Sequence, residues 1–227
     1  MTITLYLDKP PWFANLLRRL IMEEAPSMAI EDVYVHQNNV YWNEWFANRL
    51  GLIPIYAPID YIKNDKVVKA SLKVKDREGW VYADEIKIED ENVKIAYKKI
   101  PLIWVEKWHE IDMEFEIKVG QGKVHSKWIP AHTWYYKEVY GILKKKDNKT
   151  KELINSLGLK IDGNKVYGDR TKLEALEKEG ILELKETGRI VFNIEGFGMV
   201  EEKEILPLAI DVFVNRLDEY IKTLSNE

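Results

Sequence analysis

The sequence predicts a mixed α+β fold, and three observations carry that prediction. Ile111, Met113, Phe115, Ile117 and Val119 alternate with polar residues, the period-two spacing of a strand with one buried face. Phe13, Leu16, Leu17, Leu20 and Ile21 recur instead at helical spacing, as do Leu206, Ala209, Ile210, Phe213, Leu217, Tyr220, Ile221 and Leu224 near the other end. Between them run short strand-like stretches separated by turn residues, so helices and antiparallel strands share one chain of 227 residues.

Taken in order, the opening TITLYLD alternates as an antiparallel strand with one wet face does. The helix that follows places Arg18, Arg19, Glu23 and Glu24 away from its apolar stripe and is stopped by Pro26, which lacks an N–H and pushes Ala25 out of the α region. A strand from Ala29 to His36 comes next, then a helix from Trp42 to Leu50 with a bulky inner stripe of Trp42, Trp45, Phe46 and Leu50, ended by a left-handed cap at Gly51. The stretch from Tyr61 to Tyr97 reads as a β-rich unit, with runs KVVKASLKVK and WVYADEIKIED punctuated by Lys63-Asn64-Asp65-Lys66 and Asp76-Arg77-Glu78-Gly79. Gly120-Gln121-Gly122 ends the strand 111–119, and another strand covers Thr133 to Tyr140. A charged stretch follows with helices at Asn148 to Leu157 and Arg170 to Gly180 and two similar short units, GLKIDGNKVY and GILELKETGRIVF. A strand from Arg189 to Ile194, breakers at Gly196 and Gly198, and a helix to about Leu224 close the chain. Val212 and Val214 widen the stripe of that helix beyond one core face, and Pro207 sits either in its first turn or at a kink.

With 46% hydrophobic residues and eight Trp the chain can bury a sizeable core. No run approaches the roughly 18 uncharged apolar residues of a membrane span, and MTITLYLDKPPW has no signal-peptide pattern, so a cytoplasmic protein without membrane contact is expected. The absence of cysteine excludes disulfides, thiolate nucleophiles, zinc ribbons and cysteine-ligated iron–sulfur clusters. A net charge of -4 argues against a protein that mainly coats nucleic acid.

Catalytic chemistry finds no constellation. His36, His109, His125 and His132 lack metal-ligand spacing, no serine stands in a G-x-S-x-G elbow, and the pairs Glu23-Glu24 and Glu201-Glu202 with Asp32 form no D-x-D metal cage. No catalytic residue, metal ligand or cofactor site is therefore expected. The segment GQGKVHSKWIP, 120–130, is not a P-loop, because Val124 follows Lys123 and Ile117 stands where the first glycine belongs. Read as extended chain, it puts Lys123, His125 and Lys127 on one side and Val124, Ser126 and Trp128 on the other, a short basic strip.

Three blocks carry a family resemblance. N-L-L-R-R with E-E-A-P-S-M-A-I-E-D-V and R-L-G-L-I-P, the run G-Q-G-K-V-H-S-K-W-I-P, and F-N-I-E-G-F-G-M-V-E-E-K-E-I-L stand in the order found in the D-type subunit of archaeal RNA polymerase, a relative of the bacterial polymerase α subunit. The second block departs mildly from the family's G-x-G-K-x-H-A-K-W-S-P, with Ser126 for Ala and Ile129 for Ser. The resemblance implies a discontinuous, alpha-subunit-like dimerisation domain at 1–53 and 188–227, an inserted β-rich assembly domain at 54–140, and a ferredoxin-like insert at 141–187. Many family members carry iron–sulfur cysteines in that insert; here all are missing, so 141–187 is either a cluster-free, degenerate relic or a generic charged insertion.

Function follows from the same resemblance. It implies a non-catalytic platform subunit of DNA-directed RNA polymerase, the nucleotidyltransferase of transcription, which pairs with the small L-type subunit as a heterodimer and nucleates binding of the large catalytic subunits. DNA is then met only through the complex. The implied partner interface comprises Phe13, Leu16, Leu17 and Leu20 on the first helix and Phe213, Leu217 and Tyr220 on the last. Arg18 and Arg19 are assigned to the second-largest catalytic subunit, and Lys123, His125, Lys127 and Trp128 to a large subunit and a small zinc-bearing subunit. The alternative is a stand-alone nucleic-acid-binding module, built on the Lys123–Trp128 strip with Trp134, Tyr135 and Tyr136 as stacking platforms.

Overall fold

The computed structural model describes residues 2–144 and 147–225; the extreme ends of the expected segments 1–53 and 188–227, and residues 145 and 146 within 141–187, lie outside the described residues. The elements run β1 (Thr2–Leu7), α1 (Pro11–Arg19), β2 (Pro26–Asn38), α2 (Asn43–Gly51), β3 (Ile55–Tyr56) and α3 (Ile59–Lys63). Then come β4 (Val68–Val74), β5 (Gly79–Tyr82), β6 (Lys87–Ile88), β7 (Lys94–Ile95), β8 (Pro101–Val105) and β9 (Ile111–Gln121). The remainder is β10 (Ala131–Leu143), α4 (Asn148–Ser156), β11 (Lys160–Asp162), β12 (Lys165–Tyr167), α5 (Arg170–Lys178), β13 (Leu182–Gly196) and α6 (Glu202–Ser225). The chain divides into two compact units, one of residues 1–3, 16–133 and 194–227, the other of 4–15 and 134–193.

The first unit is organised by the sheet β2-β9-β4-β6. The period-two pattern of β9 buries Ile111, Met113, Phe115 and Ile117, and both neighbours pair with it antiparallel, β2 from Pro26↔Gln121 to Asn38↔Ile111 and β4 from Val68↔Ile117 to Val74↔Ile111. Because β2 and β9 pair along their whole length, residues before and after 54 fall in one unit. The expected first helix is shorter than its periodicity suggests. After Arg19 it widens into a π-helical turn, Leu20–Glu24, closed by the Ala25 N–H donating to the Leu20 carbonyl at 2.8 Å. That i−5 bond satisfies a donor that Pro26 prevents from entering a further α turn.

Two readings around α2 are corrected. Phe46 and Leu50 are buried, but Trp42 is 74% exposed and Trp45 38%, because α2 packs one narrow face on β2. Gly51 is the last helical residue and has no positive φ; Leu52, at φ −85°, forms the cap. Pro207 lies inside α6, which begins at Glu202, so the helix starts before the proline.

The second unit contains the five-stranded sheet β1-β13-β10-β12-β11. From β10 onward the order is strand, helix, strand, strand, helix, strand, and numbering those four strands one to four gives a spatial order of four, one, three, two. Ile154 of α4 and Leu173 and Leu176 of α5 pack with Leu143, Leu159, Val166 and Leu182 into a core of their own. Caps explain both helices: Asp147 accepts from the Thr150 N–H at 2.9 Å and Asp169 from Lys172 at 3.2 Å. GLKIDGNKVY forms the antiparallel hairpin β11–β12, but its echo GILELKETGRIVF is no hairpin. From Leu182 onward it lies in the single strand β13, where Gly188 takes φ +87° and lets the strand continue.

Candidate partner-docking surface

Around the π-helical turn the 120–130 segment folds back on itself and loses the extended form. β9 ends at Gln121 and Ser126–Trp128 makes one turn of 3₁₀ helix, with His125 Nδ1 accepting from the Lys127 N–H at 3.1 Å as its cap. The glycines are there for close approach. A Cβ on Gly120 would stand 2.3 Å from the Trp128 ring, and one on Gly122 would stand 1.9 Å from the Met22 carbonyl oxygen. Lys123 N–H donates to the Glu23 carbonyl at 2.9 Å and Gln121 Nε2 to the Glu24 carbonyl at 2.7 Å, so the glycines let the run lie flat on the turn.

The basic strip is correspondingly dismantled. Trp128 is only 5% exposed, with Nε1 donating to the Lys118 carbonyl at 3.2 Å, so it is a core residue and not an exposed docking contact. Lys127 turns inward, donating to the Ile30 carbonyl at 3.1 Å and pairing with Glu31. Lys123 pairs with Glu24 at 3.0 Å. No row of free cations remains, which removes the basis of the nucleic-acid reading at this strip.

Glu24 is the joint of this region, and no sequence pattern points to its partners. Its carboxylate receives the Arg216 guanidinium in a fork, Nη1 to Oε1 at 2.7 Å, in addition to Lys123, and so ties the turn, the 120–130 run and α6 together. Those bonds, from Arg216 first and Lys123 next, hold its pKa below the ordinary carboxylate value despite burial.

The other expected interface residues separate into two groups. Leu17 and Leu20 are buried in this chain, at 6% and 5% exposure, and have little surface left to offer a partner. Phe13, Leu16 and Arg18 are half-buried. Arg19 is exposed but already bidentate with Glu23 at 3.0 and 2.9 Å, an i,i+4 pair that water screens. Beyond Ala209, the last buried residue of α6, the picture reverses: Phe213 is half-buried, and Ile210, Val214, Leu217, Tyr220, Ile221 and Leu224 are all exposed, from 41% to 72%. Ile210, Val214, Leu217, Ile221 and Leu224 follow one another at steps of four, three, four and three, a continuous seam on one side of the helix. Beside it a groove of about 470 Å³ runs between α3 and α6, lined by Ile62, Leu208, Val212 and Val214.

A second exposed apolar surface includes residues that hydropathy assigns to the core. Tyr41, Trp45, Trp80 and Trp104 surround a cavity of about 360 Å³, with Arg49 stacked 5.6 Å over the Trp45 ring. Alternation in the run from Trp80 and the long, flat side chains are compatible with either face, so periodicity does not distinguish them.

Two comparisons bear on these surfaces. A family model described as the RNA polymerase Rpb3/RpoA insert domain matches residues 38–134. The DNA-directed RNA polymerase subunit Rpo3 of Methanocaldococcus jannaschii is 34% identical over 219 residues, covering 96% of this chain and 87% of that protein. The chain belongs to the Rpo3 family. Rpo3 of Thermococcus kodakarensis is 29% identical over 232 residues, covering 93% of this chain and 89% of its own length; for Pyrobaculum calidifontis the values are 26%, 96% and 90% over 232 residues. Rpo3 is a non-catalytic assembly subunit of DNA-directed RNA polymerase, and no group of three or more His, Cys, Asp or Glu suited to a metal occurs among the described residues. An iron–sulfur cluster does not fit this Rpo3 chain, since it has no cysteine to ligate one. No described helix is long and apolar enough to cross a membrane.

Proposed function

We propose that this chain pairs through α6 with a small partner subunit of the L type, and that the pair is the platform on which the large catalytic subunits assemble in the cytoplasm. One observation carries the reading: the apolar seam of α6 from Ile210 to Leu224 is exposed in the chain alone. A seam of that length on a single helix loses its apolar contact with water only by packing on another chain, and obligate partners typically share more than ~2,000 Å² of largely apolar interface. The fork between Arg216 and Glu24 fixes the azimuth at which α6 presents the seam.

Within this reading, 1–53 with 188–227 form the dimerisation domain and 54–140 the inserted assembly domain, the two joined into one compact unit by the pairing of β2 with β9. The segment 141–187, completed by the parts of β10 and β13 that lie outside it, is then a ferredoxin-like unit without its cluster; the β-α-β-β-α-β order of the second unit and its strand order support this. The aromatic surface of Tyr41, Trp45, Trp80 and Trp104 offers a second docking site on the assembly domain, suited to a large or a zinc-bearing subunit. Arg18, Arg19 and the rim around Lys123 and His125 supply polar contacts at the edge. Co-expression with the small partner tests the proposal: a stable one-to-one complex is expected. A monodisperse chain that ignores the partner would overturn it.

A further inference from the structure

The second unit carries a surface that the platform role does not use. Residues of its sheet alternate between two faces. Leu143, Val166 and Leu182, with Ile161 and Val139 partly buried beside them, face the helices α4 and α5. By the period of the strand, Tyr140 on β10, Lys165 and Tyr167 on β12, and Lys160 on β11 share the opposite face. β10 and β12 are the neighbouring inner strands, paired antiparallel at Gly141↔Val166, which sets Tyr140 next to Tyr167. Their rings stack at 5.9 Å and 28°.

Cations are spread over the same face, each against a ring. Lys165 Nζ lies 5.0 Å from the Tyr140 centroid, the Arg170 guanidinium 5.8 Å from Tyr136, and the Arg189 guanidinium 5.5 Å from Tyr6 on β1. Of the acids near them, Glu138 is spent on Arg189 at 2.9 and 3.1 Å and on the Thr187 hydroxyl at 2.7 Å, while Asp8 lies near Arg189 and Asp169 near Tyr136. Arg170 is shared with Glu174 at 2.6 Å, while no carboxylate lies within ion-pair distance of Lys160 or Lys165 among the described residues, although Asp162 stands opposite Lys165 in the hairpin. A cavity of about 330 Å³ opens between Tyr6, Tyr136, Tyr167, Lys160 and Arg170.

We propose that this sheet face binds single-stranded RNA, with bases on the Tyr140, Tyr167 and Tyr136 rings and phosphates beside Lys160, Lys165 and Arg170. RNA-recognition modules splay and stack bases on aromatic rings presented by two adjacent inner strands of a sheet, as β10 and β12 do within this five-stranded one. Cations around flat rings suit a polyanion that carries flat bases, and a polyanion without bases uses only half of the arrangement. The face suits an apolar partner poorly, since a cation lies against each of the Tyr6, Tyr136 and Tyr140 rings. The inference does not depend on the α6 reading, because no residue of the face belongs to that helix.

The test uses the full chain and a short fluorescein-labelled oligouridylate, followed by anisotropy at low salt. Binding that weakens as salt rises is expected, with a loss of about tenfold or more for Tyr140→Ala and for Tyr167→Ala, and near-normal binding for the Phe variants, which keep the ring. Thermal melts show whether the Ala variants remain folded; Lys165→Glu, at an exposed position, should weaken binding without that complication. Absence of binding, or binding indifferent to the rings, overturns the inference. Equal binding of an acidic peptide that depends on Lys165 but not on Tyr140 overturns it too, in favour of a protein ligand.

Discussion

Ile221→Asp separates docking from folding more cleanly than any change on the first helix. Ile221 is 60% exposed in this chain, so the free protein should tolerate the change within about 1 kcal/mol, including the small cost of an anion in the last turns of a helix. In a complex the balance shifts. Burying a whole Ile side chain contributes about 1.5–3 kcal/mol, so the exposed part of this one is worth roughly 1–2 kcal/mol at the interface. An ionised carboxylate left there without a partner costs roughly 3–5 kcal/mol more. Together they weaken pairing by about a thousandfold or more. The assay is titration calorimetry of the purified chain against the small partner, with far-UV circular dichroism and thermal melting as the control for folding. Affinity retained within about threefold, by a variant that folds normally, would falsify the placement of the seam in the interface.

Leu17→Asp, by contrast, should unfold the first unit before it reports on any partner, because Leu17 is 6% exposed; loss of the cooperative melt is the expected result. Trp128→Ala should lower stability by roughly 3–5 kcal/mol in urea titrations, since it empties the space over Gly120 and leaves the Lys118 carbonyl without its donor. Glu24 has a folded-state pKa below its unfolded one, so its contribution is present above the ordinary carboxylate pKa and is lost as pH falls through the lowered value. Glu24→Gln should therefore flatten the acid limb of the stability profile while lowering stability at neutral pH, and an unchanged acid limb would assign acid sensitivity to other groups. Leu173→Ala should cost roughly 2–5 kcal/mol in the second unit, followed by hydrogen exchange of α4 and α5, and leave affinity for the small partner intact.

The strands and helices that bury one regular face are the legible part of the fold. β9 follows from its alternation, and β4, β10, α4, α5 and α6 lie within a few residues of their patterns. Failures cluster where the backbone leaves regular geometry or where apolar bulk faces outward. The π-helical turn depends on how Ala25 satisfies its N–H before Pro26, which side-chain periodicity does not encode. Trp42 and Trp45 fall on the expected inner stripe because hydropathy alone cannot tell a core aromatic from an exposed one. Lys123 to Trp128 reads as alternation because the segment is short; the two glycines that fold it back are visible, but the carbonyl and ring they approach cannot be matched to them from the sequence. Glu24 and Arg216 are likewise joined only by the fold. On α6 the excess apolar width divides: Val214 is 47% exposed, while Val212 is half-buried. Leu17 and Leu20 show that the same signal on α1 has an internal explanation.

Hydrogen exchange read by mass spectrometry, on the chain alone and in its complex with the small partner, tests the platform account most directly. Protection concentrated in the amides of α6 from Ile210 to Leu224 is the predicted result, because helix ends fray until their apolar face is covered. Unchanged exchange over α6, with new protection elsewhere on the chain, would contradict it.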